Sequence, residues 1–456
     1  MFPTLPHTEE DLRSMLSTVG AASLEDLFAD VPPELLRSQP LAIPPARSEA
    51  EVYRHLAKLA AGNRTDAVSF LGGGSYDHLI PATVGAVLGR SEFYTAYTPY
   101  QAEISQGVLQ AIFEYQSLIC ALTDLEVSNA SLYDGATAVC EAASLALAAV
   151  RRSRKLLIAR TLHPHTRRVL VTHFSGLEVE LEEVAAADGV LNREDLRRRL
   201  VPGTAAVIVQ SPNFLGYLED LTGLAEEVHA AGALLVQSAD PLTLGVLRSP
   251  GDWGADVAAG DAQPCGLPPY FGGPTVGYLA ARQAFLHRMP GRIAGQSVDR
   301  EGRRAFVLTL QAREQHIKRE RATSNICSNQ ALAALAVAVY LVTVGKRGLA
   351  EAARQSAAKA HYLAERLWRE TPAKLLTAQP FLLEFPLVLP VAAVPVLERM
   401  EAEGFFAGLP LDRLAPELVP AGGRAVAERA ILVAVTEKHT REELERYVDT
   451  MKRMLK

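Results

Sequence analysis

The feature that most constrains the fold is a regular alternation of short apolar runs and helical segments between residues 136 and 281. AAVIVQ (205–210) and ALLVQSAD (233–240) have the length and composition of buried parallel strands. LTGLAEEVHAAG (221–232) has helical spacing and closes on Gly232. Parallel strands joined by helices cross over right-handedly, which predicts an α/β fold with both sheet faces covered and ligands at the strand carboxyl ends.

The rest of the chain predicts two flanking parts. Residues 1–64 have the pattern of a helical arm, in which Ser23 caps a second helix and the two prolines near 32 end it. We expect a large α/β domain over 65–328. Residues 329–456 predict two linking helices, separated near Gly345, and a small C-terminal α+β domain with strands FLLEFPLVL and ILVAV.

Composition excludes several classes of protein. A net charge of −6 gives no basic footprint for nucleic acid. The N-terminus lacks a signal pattern, and no run of about 18 apolar residues suggests a membrane span, so we expect a cytoplasmic protein.

The cysteines form no CxxC pair, which argues against a disulfide framework or a zinc site and predicts buried free thiols: Cys120, Cys140, Cys265 and Cys327.

The densest polar and aromatic segment holds Tyr94, Tyr97, Thr98, Tyr100 and Gln101. Crowded phenols on an irregular loop lose solvation unless each hydroxyl finds a partner. The segment therefore predicts a contact surface or the rim of a site. The alternative is a loop that plugs its own domain.

A basic run, REQHIKRERATSNICS, ends in Thr323, Ser324 and Asn325. Solvated charge on a helix is the usual explanation of such a run. The Thr-Ser-Asn turn is less usual, because its hydroxyl and amide groups could face an anion across an interface.

Three further motifs have both a functional and a structural interpretation. His163, His165 and His173 could bind a metal, but no Cys or carboxylate set accompanies them, and a surface turn explains them as well. Tyr133–Thr137 opens a helix, where backbone N–H groups could bind a phosphate or simply be capped. Gly72–Gly74 lacks the flanking elements of a dinucleotide site and predicts a loop with unusual dihedral angles.

No lysine occurs between Lys155 and Lys318. Only nine of the 46 basic residues are lysine, so drift in an arginine-rich chain could empty this stretch. The gap matters only if the fold normally needs an amine in this region.

Several long segments resemble the P-protein of the glycine cleavage system, in the alpha subunit of its two-subunit form. They are FLGGGSYDH, YTPYQAEISQGVLQAIFEYQ, NASLYDGATAVCEA, SPNFLGYLED, GADVAAGDAQPCGLP, GRIAGQSVDREGRRAF and REQHIKRERATSNICS. The resemblance spans essentially the whole chain. It implies the aminotransferase-like fold type I of enzymes that use pyridoxal phosphate (PLP), with a mainly parallel seven-stranded sheet in the large domain.

The resemblance gives the lysine gap its meaning. Enzymes of this fold hold PLP on a lysine, as a Schiff base, in the segment that corresponds to GADVAAGDAQPCGLPPYFGGP. Gln263 stands about where that amine should be, and an amide is not nucleophilic enough to form an imine. Asp240 follows the VQSAD strand, where such enzymes place a carboxylate against the pyridine nitrogen, although a helix cap explains it equally well. We therefore expect PLP to be held covalently by the partner beta subunit and not by this chain.

By resemblance, the pair of subunits decarboxylates glycine on PLP and transfers the aminomethyl group to the lipoyl arm of the H-protein. The resemblance also implies a tetramer of two alpha and two beta chains. Tyr97, Thr98, Tyr100 and Gln101 are expected to line the substrate or lipoyl entrance. Thr323, Ser324 and Asn325 are expected to approach the cofactor phosphate in the partner.

Two other functions stay open at this point. A self-sufficient PLP-dependent decarboxylase would use Lys318 or Lys155 as its imine partner. A non-catalytic subunit would only support or regulate a partner enzyme.

Overall fold

A computed structural model describes residues 6–36, 41–150, 152–270, 272–419 and 423–456. The first five residues of the predicted arm and Phe271 of the glycine-rich return lie outside them. The chain consists of two compact units, Met1–Thr65 and Asp66–Lys456. A boundary near 329 within the second unit stays a prediction.

The first unit contains two amphipathic helices, α1 (Glu9–Val19) and α2 (Glu49–Ala60), each opened by a capping box. The second predicted helix of the arm is wrong. Ser23 does accept the N–H of Asp26, but only two separate 3-10 turns form, Glu25–Phe28 and Pro33–Leu35, because the prolines prevent a continuous helix. None of the described residues of this unit is buried.

The second unit contains the remaining helices and strands. Its helices are α3 (Ala82–Leu88), α4 (Ser91–Tyr94), α5 (Gln106–Thr123), α6 (Gly135–Ala149), α7 (Pro164–Phe174), α8 (Arg193–Arg199), α9 (Leu224–Ala230), α10 (Gln315–Lys318), α11 (Ala331–Glu370), α12 (Ala393–Ala402), α13 (Leu411–Leu414), α14 (Gly423–Ala427) and α15 (Arg441–Met454). Its strands are β1 (Val68–Ser69), β2 (Val127–Ser128), β3 (Lys155–Ala159), β4 (Glu180–Val184), β5 (Ala186–Ala187), β6 (Val190–Leu191), β7 (Thr204–Gln210), β8 (Leu234–Ser238), β9 (Val257–Asp261), β10 (Gly277–Ala281), β11 (Ile293–Val298), β12 (Arg304–Thr309), β13 (Lys374–Leu375), β14 (Glu384–Val388), β15 (Phe405–Phe406), β16 (Leu409–Pro410) and β17 (Ala430–Ala434).

A seven-stranded sheet in the order β2-β10-β9-β8-β7-β3-β4 forms the centre of this unit. Strands β9, β8, β7, β3 and β4 are parallel, and β10 runs antiparallel to both of its neighbours. Successive side chains point to opposite faces, so Leu156 and Ile158 pack with α6 and α7, whereas Leu157 packs with α8 and α9. The predicted α/β fold with a mainly parallel seven-stranded sheet is confirmed.

Helix α11 is two helices joined at Gly345, as the sequence predicts. Gly345 has φ +60° and ψ −178°, a conformation that only glycine adopts readily. By length and composition α11 is the one described helix that could cross a membrane. Half of its most apolar window is buried inside the protein, as expected of a core helix.

A four-stranded antiparallel sheet, β13-β14-β17-β16, lies toward the C-terminus and packs against α12 and α15. Strand β1 pairs in parallel with β15, which places the segment just before Gly72 against this C-terminal layer. The hairpin of β11 and β12 was not predicted, because the polar residues of its turn interrupt the alternation of apolar and polar residues that indicates a strand.

The expected burial of the cysteines holds for only part of the set. Cys140 and Cys265 are buried and Cys120 is partly buried, but Cys327 is exposed. The reason is that Cys327 lies in the irregular segment before α11 and not in an element that packs on the core.

We expect Gly345→Ala to lower the free energy of unfolding by about 1–3 kcal/mol, because an added Cβ is incompatible with this backbone conformation. Urea unfolding followed by circular dichroism measures the change. Gly85→Ala is the matched control, since Gly85 lies in a helix with open space beside it and the substitution should be neutral or stabilising. Equal stability of the Gly345 variant and the wild-type chain would contradict the conformational argument.

Candidate active-site cleft

A cavity of about 240 Å³ lies at the carboxyl ends of the central parallel strands. Gln210 ends β7, Asp240 follows β8 and Asp261 ends β9, and all three line the cavity. The start of α6 and Glu384 of β14 complete the wall. This is the edge at which open α/β sheets bind ligands, so the position predicted from the strand pattern does contain a cleft.

Gln263 is buried beside the cleft, and its side chain makes structural hydrogen bonds. Its Oε1 accepts the backbone N–H of Tyr76 at 3.0 Å. Its Nε2 donates to the carbonyl oxygens of Tyr76, at 3.0 Å, and Leu267, at 2.6 Å. The amide therefore fastens the glycine-rich loop before Tyr76 to the turn after β9. It leaves no reactive group at this position.

The start of α6 is capped by carboxylates. The N–H of Thr137 donates to Asp134 Oδ1 at 2.7 Å, and the N–H of Gly135 donates to Asp261 Oδ2 at 3.0 Å. The capping interpretation of this motif is therefore correct. A phosphate group at the same place would meet two carboxylates instead of free N–H donors.

Covalently bound PLP does not fit the residues of this cleft. A Schiff base needs an amine, and no lysine lines the cavity among the described residues. Lys155 is the first residue of β3, so it lies at the end of the strands away from the cleft, where it pairs with Glu182. Lys318 is exposed on the short helix α10. The helix start that would hold the phosphate is already capped.

Burial changes the acid–base properties of the carboxylates around the cleft. It raises the pKa of Asp240 to about 6 and that of Glu384 to about 7. The pKa of Asp261 is raised by burial as well, although hydrogen bonds from Thr275 and from backbone N–H groups oppose this. Glu384 accepts the N–H of Gly73 at 2.7 Å and the hydroxyl of Tyr76 at 2.8 Å.

The three histidines do not come together as a set. His163 caps α7, and its Nε2 contacts the carbonyl oxygen of Gly73 at 2.7 Å. His173 lies near the other end of α7, where it contacts Ser144. Among the described residues, no group of three or more His, Cys, Asp or Glu side chains could hold a metal ion.

The tyrosine segment lies on the surface and not in the cleft. Tyr97 is 84 % exposed and Tyr100 58 % exposed, and Gln101 is exposed beside them. Tyr97 and Thr98 line a surface groove of about 230 Å³ together with residues from α5 and the start of α11. Buried Arg292 fixes Tyr100 by donating to its hydroxyl at 3.0 Å.

Thr323, Ser324 and Asn325 also lie outside the cleft, in the irregular segment before α11. Ser324 Oγ accepts the N–H of Ile326 at 3.0 Å, and its hydroxyl also contacts Glu141. Burial raises the pKa of Glu141 to about 7, and the bond from Ser324 opposes that rise. This segment leads directly to Ser328 and Asn329, which line the groove beside Tyr97.

Glu384 and Tyr76, which line the cleft, and His78, which lies near Tyr76, were not singled out from the sequence. Glu384 was hidden in the predicted strand FLLEFPLVL, where one carboxylate among apolar residues was a usable signal. Tyr76 followed the three glycines, and His78, which contacts Glu437 at 2.6 Å, followed Tyr76. These partners are separated by about 300 residues or more in the sequence, so no local pattern pairs them.

Comparison with known proteins gives one consistent result. The sequence model of the family described as "Glycine cleavage system P-protein" matches residues 3–451. A relative from Carboxydothermus hydrogenoformans, called probable glycine dehydrogenase (decarboxylating) subunit 1, is 49% identical over 98% of each chain. A relative of the same name from Moorella thermoacetica is 48% identical over 99% of each chain.

Solved structures agree with this result. A crystal structure of glycine decarboxylase (P-protein) of the glycine cleavage system, in inhibitor-bound form, matches with a TM-score of 0.88 and 45% identity over 99% of each chain. A NifS-like protein matches with a TM-score of 0.64 at 13% identity over 85% of this chain and 99% of that chain, which shows the fold alone.

The sheet, the cleft at its carboxyl edge and these matches place the chain in the fold type I class of PLP-dependent enzymes. Within that class the chain belongs to the glycine cleavage system P-protein family, over essentially its full length.

We expect the raised pKa of Glu384 to make the stability of the chain depend on pH. Because the folded-state pKa of about 7 exceeds the reference value of 4.5, the contribution of Glu384 is complete below pH 4.5 and is lost as pH rises through 7. The loss amounts to up to about 3 kcal/mol. Glu384→Gln stays uncharged and can still bond Gly73 and Tyr76, so its urea-unfolding free energy should vary less between pH 5 and 8.

Glu226→Gln, at an exposed position on α9, serves as the control and should keep the pH dependence of the wild-type chain. If both variants followed the wild-type pH profile, Glu384 would not be the buried acid responsible.

Proposed function

We propose that this chain is the alpha subunit of a two-subunit glycine decarboxylase of the glycine cleavage system. The pair decarboxylates glycine and transfers the aminomethyl group to the lipoyl arm of the H-protein. One observation carries the proposal: in a PLP-enzyme fold, Gln263, at the position that the resemblance assigns to the cofactor's amine, is buried and hydrogen-bonded through both atoms of its amide. The names of the relatives, which end in "subunit 1", support a division of labour between two chains.

The cofactor is held covalently by the partner beta subunit in this proposal. When bound there, PLP supplies an electron sink for the charge that is left when carbon dioxide departs. The carboxylates at the start of α6 support this assignment, because they disfavour a phosphate on this chain. We further propose a tetramer of two alpha and two beta chains that acts in the cytoplasm.

The tyrosine segment is our candidate for this chain's contribution to the catalytic site. Tyr97 exposes its ring and hydroxyl beside the groove that also contains Thr98 and Asn329. Large aromatic side chains with a polar tip are typical of interfaces, where they bury area and still bind polar groups. With Gln101, these side chains orient the substrate or the lipoyl arm and exclude water at the entrance.

Tyr100 is held in place for this task. The guanidinium of Arg292 lies over its ring, 5.4 Å from the centroid, and also donates to its hydroxyl. Arg292 is itself buried, so the orientation of this phenol is set by the core and not by solvent.

Thr323, Ser324 and Asn325 are proposed to approach the cofactor phosphate in the partner. Ser324 already forms hydrogen bonds with Ile326 and Glu141 within the chain. In this proposal the anion therefore accepts hydrogen bonds from Thr323 and Asn325. Basic residues precede this turn, which favours an anion at this end of the segment.

Borohydride reduction tests where the cofactor is bound. We expect the reconstituted pair, incubated with PLP and reduced, to carry the label on a lysine of the partner subunit. This chain alone, treated in the same way, should remain unlabelled in peptide mapping by mass spectrometry. Stoichiometric label at Lys155, Lys318 or any other lysine of this chain would instead support a self-sufficient enzyme.

Substitution of the exposed phenols tests the contribution of the groove. Tyr97→Phe combined with Tyr100→Phe should lower glycine–bicarbonate exchange by the reconstituted pair at least tenfold, because the hydroxyls that position the substrate are removed. Tyr53→Phe, at a phenol that is 75 % exposed in the first unit, is the control. Unchanged exchange in the double variant, with the complex intact by size-exclusion chromatography, would favour a purely supporting subunit.

A further inference from the structure

Arg292 is a buried arginine that has no carboxylate partner in the described part of the chain. It is 5 % exposed, and its guanidinium binds the hydroxyl and the ring of Tyr100 and no other described group. Arg167, with a side chain that is 11 % exposed, pairs by contrast with Glu183 and Glu417. A buried charge without an opposite charge is unfavourable, because the protein interior solvates it poorly. The positive charge of Arg292 is therefore left for a group that this chain does not supply.

The guanidinium of Arg292 still has N–H groups to donate. Its Nη2 donates to the hydroxyl of Tyr100 at 3.0 Å, whereas Nε and Nη1 donate to no described group. Arg313 is a useful contrast, because its Nε and Nη2 lack a partner and are shielded from solvent. No nitrogen of Arg292 is both unpartnered and shielded in this way. Its Nε and Nη1 are therefore open to a group that comes from outside the chain.

The backbone of Arg292 is fixed beside the surface groove between α5 and the start of α11. Its carbonyl oxygen accepts the N–H of Ala130 at 2.8 Å, and the carbonyl oxygen of Ala130 accepts Nδ2 of Asn329 at 3.3 Å. Asn329 lines the groove, as does Pro99, the residue before Tyr100. The guanidinium and the phenol hydroxyl therefore lie together at the edge of this groove.

A guanidinium beside a phenol hydroxyl is suited to bind a carboxylate. The planar guanidinium presents parallel N–H groups that match the two oxygens of a carboxylate. The oxygen of Tyr100 accepts from Arg292, so its hydrogen is free to donate to the same ligand. A neutral ligand would leave the charge of Arg292 without compensation, and a cation would be repelled. The chemistry of this pair thus favours a small carboxylate.

We propose that Arg292, together with the hydroxyl of Tyr100, binds the carboxylate of the substrate glycine and so distinguishes glycine from amines that lack this group. The inference rests on the proposed function, in which Tyr97 and Tyr100 lie at the substrate entrance. The amino group of glycine reacts with the cofactor in the partner subunit, so the carboxylate is the group that remains for this chain to recognise. A site built to hydrogen-bond one group strongly disfavours an analogue without it, because its buried polar atoms are then left unpaired.

Acetate is the probe that tests the proposal in the purified complex with the partner subunit. It has the carboxylate of glycine but no amine, so it cannot react with the aldehyde of PLP. We expect saturation-transfer NMR to detect acetate binding, and Arg292→Gln to weaken it at least tenfold, because a neutral amide replaces the charge-assisted bonds. Acetamide, a neutral molecule of the same shape, should also bind at least tenfold more weakly than acetate. Equal binding of the two molecules, or equal acetate binding by the wild-type and Arg292→Gln complexes, would overturn the proposal.

Arg304→Gln is the matched control. The guanidinium of Arg304 lies 5.5 Å from the ring centroid of Phe306, much as Arg292 lies over Tyr100, but Arg304 is exposed on β12. This variant should bind acetate like the wild-type complex. If Arg304→Gln lost acetate binding as strongly as Arg292→Gln does, a general attraction of anions to basic residues would explain the result, and the proposal would fail.

Arg292→Lys separates substrate binding from a structural role and covers the case in which Arg292→Gln does not fold. It keeps the positive charge but loses the paired N–H groups. We expect it to raise the KM for glycine in glycine–bicarbonate exchange at least tenfold, with a smaller change in kcat, because the lost bonds hold the bound substrate. Failure of this variant to assemble with its partner, seen by size-exclusion chromatography, would instead assign Arg292 to an acidic residue of the partner and overturn the proposal.

The two readouts distinguish this inference from the proposed function. Acetate binding requires no turnover, so a complex that binds acetate through Arg292 but does not exchange glycine would overturn the proposed function and leave the carboxylate site in place. A complex that exchanges glycine with an unchanged KM in Arg292→Lys would leave the proposed function in place and overturn the role of Arg292.

Discussion

The cleft depends on the hydrogen bonds that the buried carboxylate of Glu384 accepts. It lies in β14 of the C-terminal sheet and accepts hydrogen bonds from Gly73 and from the hydroxyl of Tyr76. A Cβ at Gly72 would come within 2.1 Å of its Oε1, so only glycine allows the loop to approach this closely. One side chain of the C-terminal layer thus fixes the loop that closes one side of the cleft.

Gln263 continues this network from the other side. Glu384 binds the loop through the side chain of Tyr76. Gln263 binds the same loop through the backbone of Tyr76. Gln263, which the resemblance places at the position of the cofactor lysine, therefore forms a structural bridge. An amide can both donate and accept here, whereas an ammonium group only donates and would leave the N–H of Tyr76 without its acceptor.

Local sequence patterns predicted the elements that a short continuous apolar run or a single glycine indicates. Strands β7, β8 and β9 and the break of α11 at Gly345 could be predicted because each depends on its own residues. The second helix of the arm failed for the opposite reason: its apolar spacing was helical, but none of its described residues is buried to stabilise it.

The cleft could be predicted only in part. Its location follows from the direction of the strands, and Asp240 could be placed on it by resemblance. Glu384 and His78 could not, because their partners come from distant parts of the chain that only the tertiary fold brings together. Polar pairs between distant residues produce no repeating pattern in the sequence. A single charged residue in an apolar strand, such as Glu384, is the local indication of such a pair.

The chain separates two surfaces that a self-sufficient enzyme would combine. The phenols at Tyr97 and Tyr100 face outward, where only a second molecule can desolvate them, whereas the acids of the cleft face inward and are already shielded. An outward aromatic surface contributes to a site only when a partner covers it. The inward acids bind groups of the chain itself: Glu384 accepts the hydroxyl of Tyr76, and Asp134 and Asp261 accept N–H groups at the start of α6. The inward acids therefore stabilise the fold, while the outward phenols are left for a second molecule.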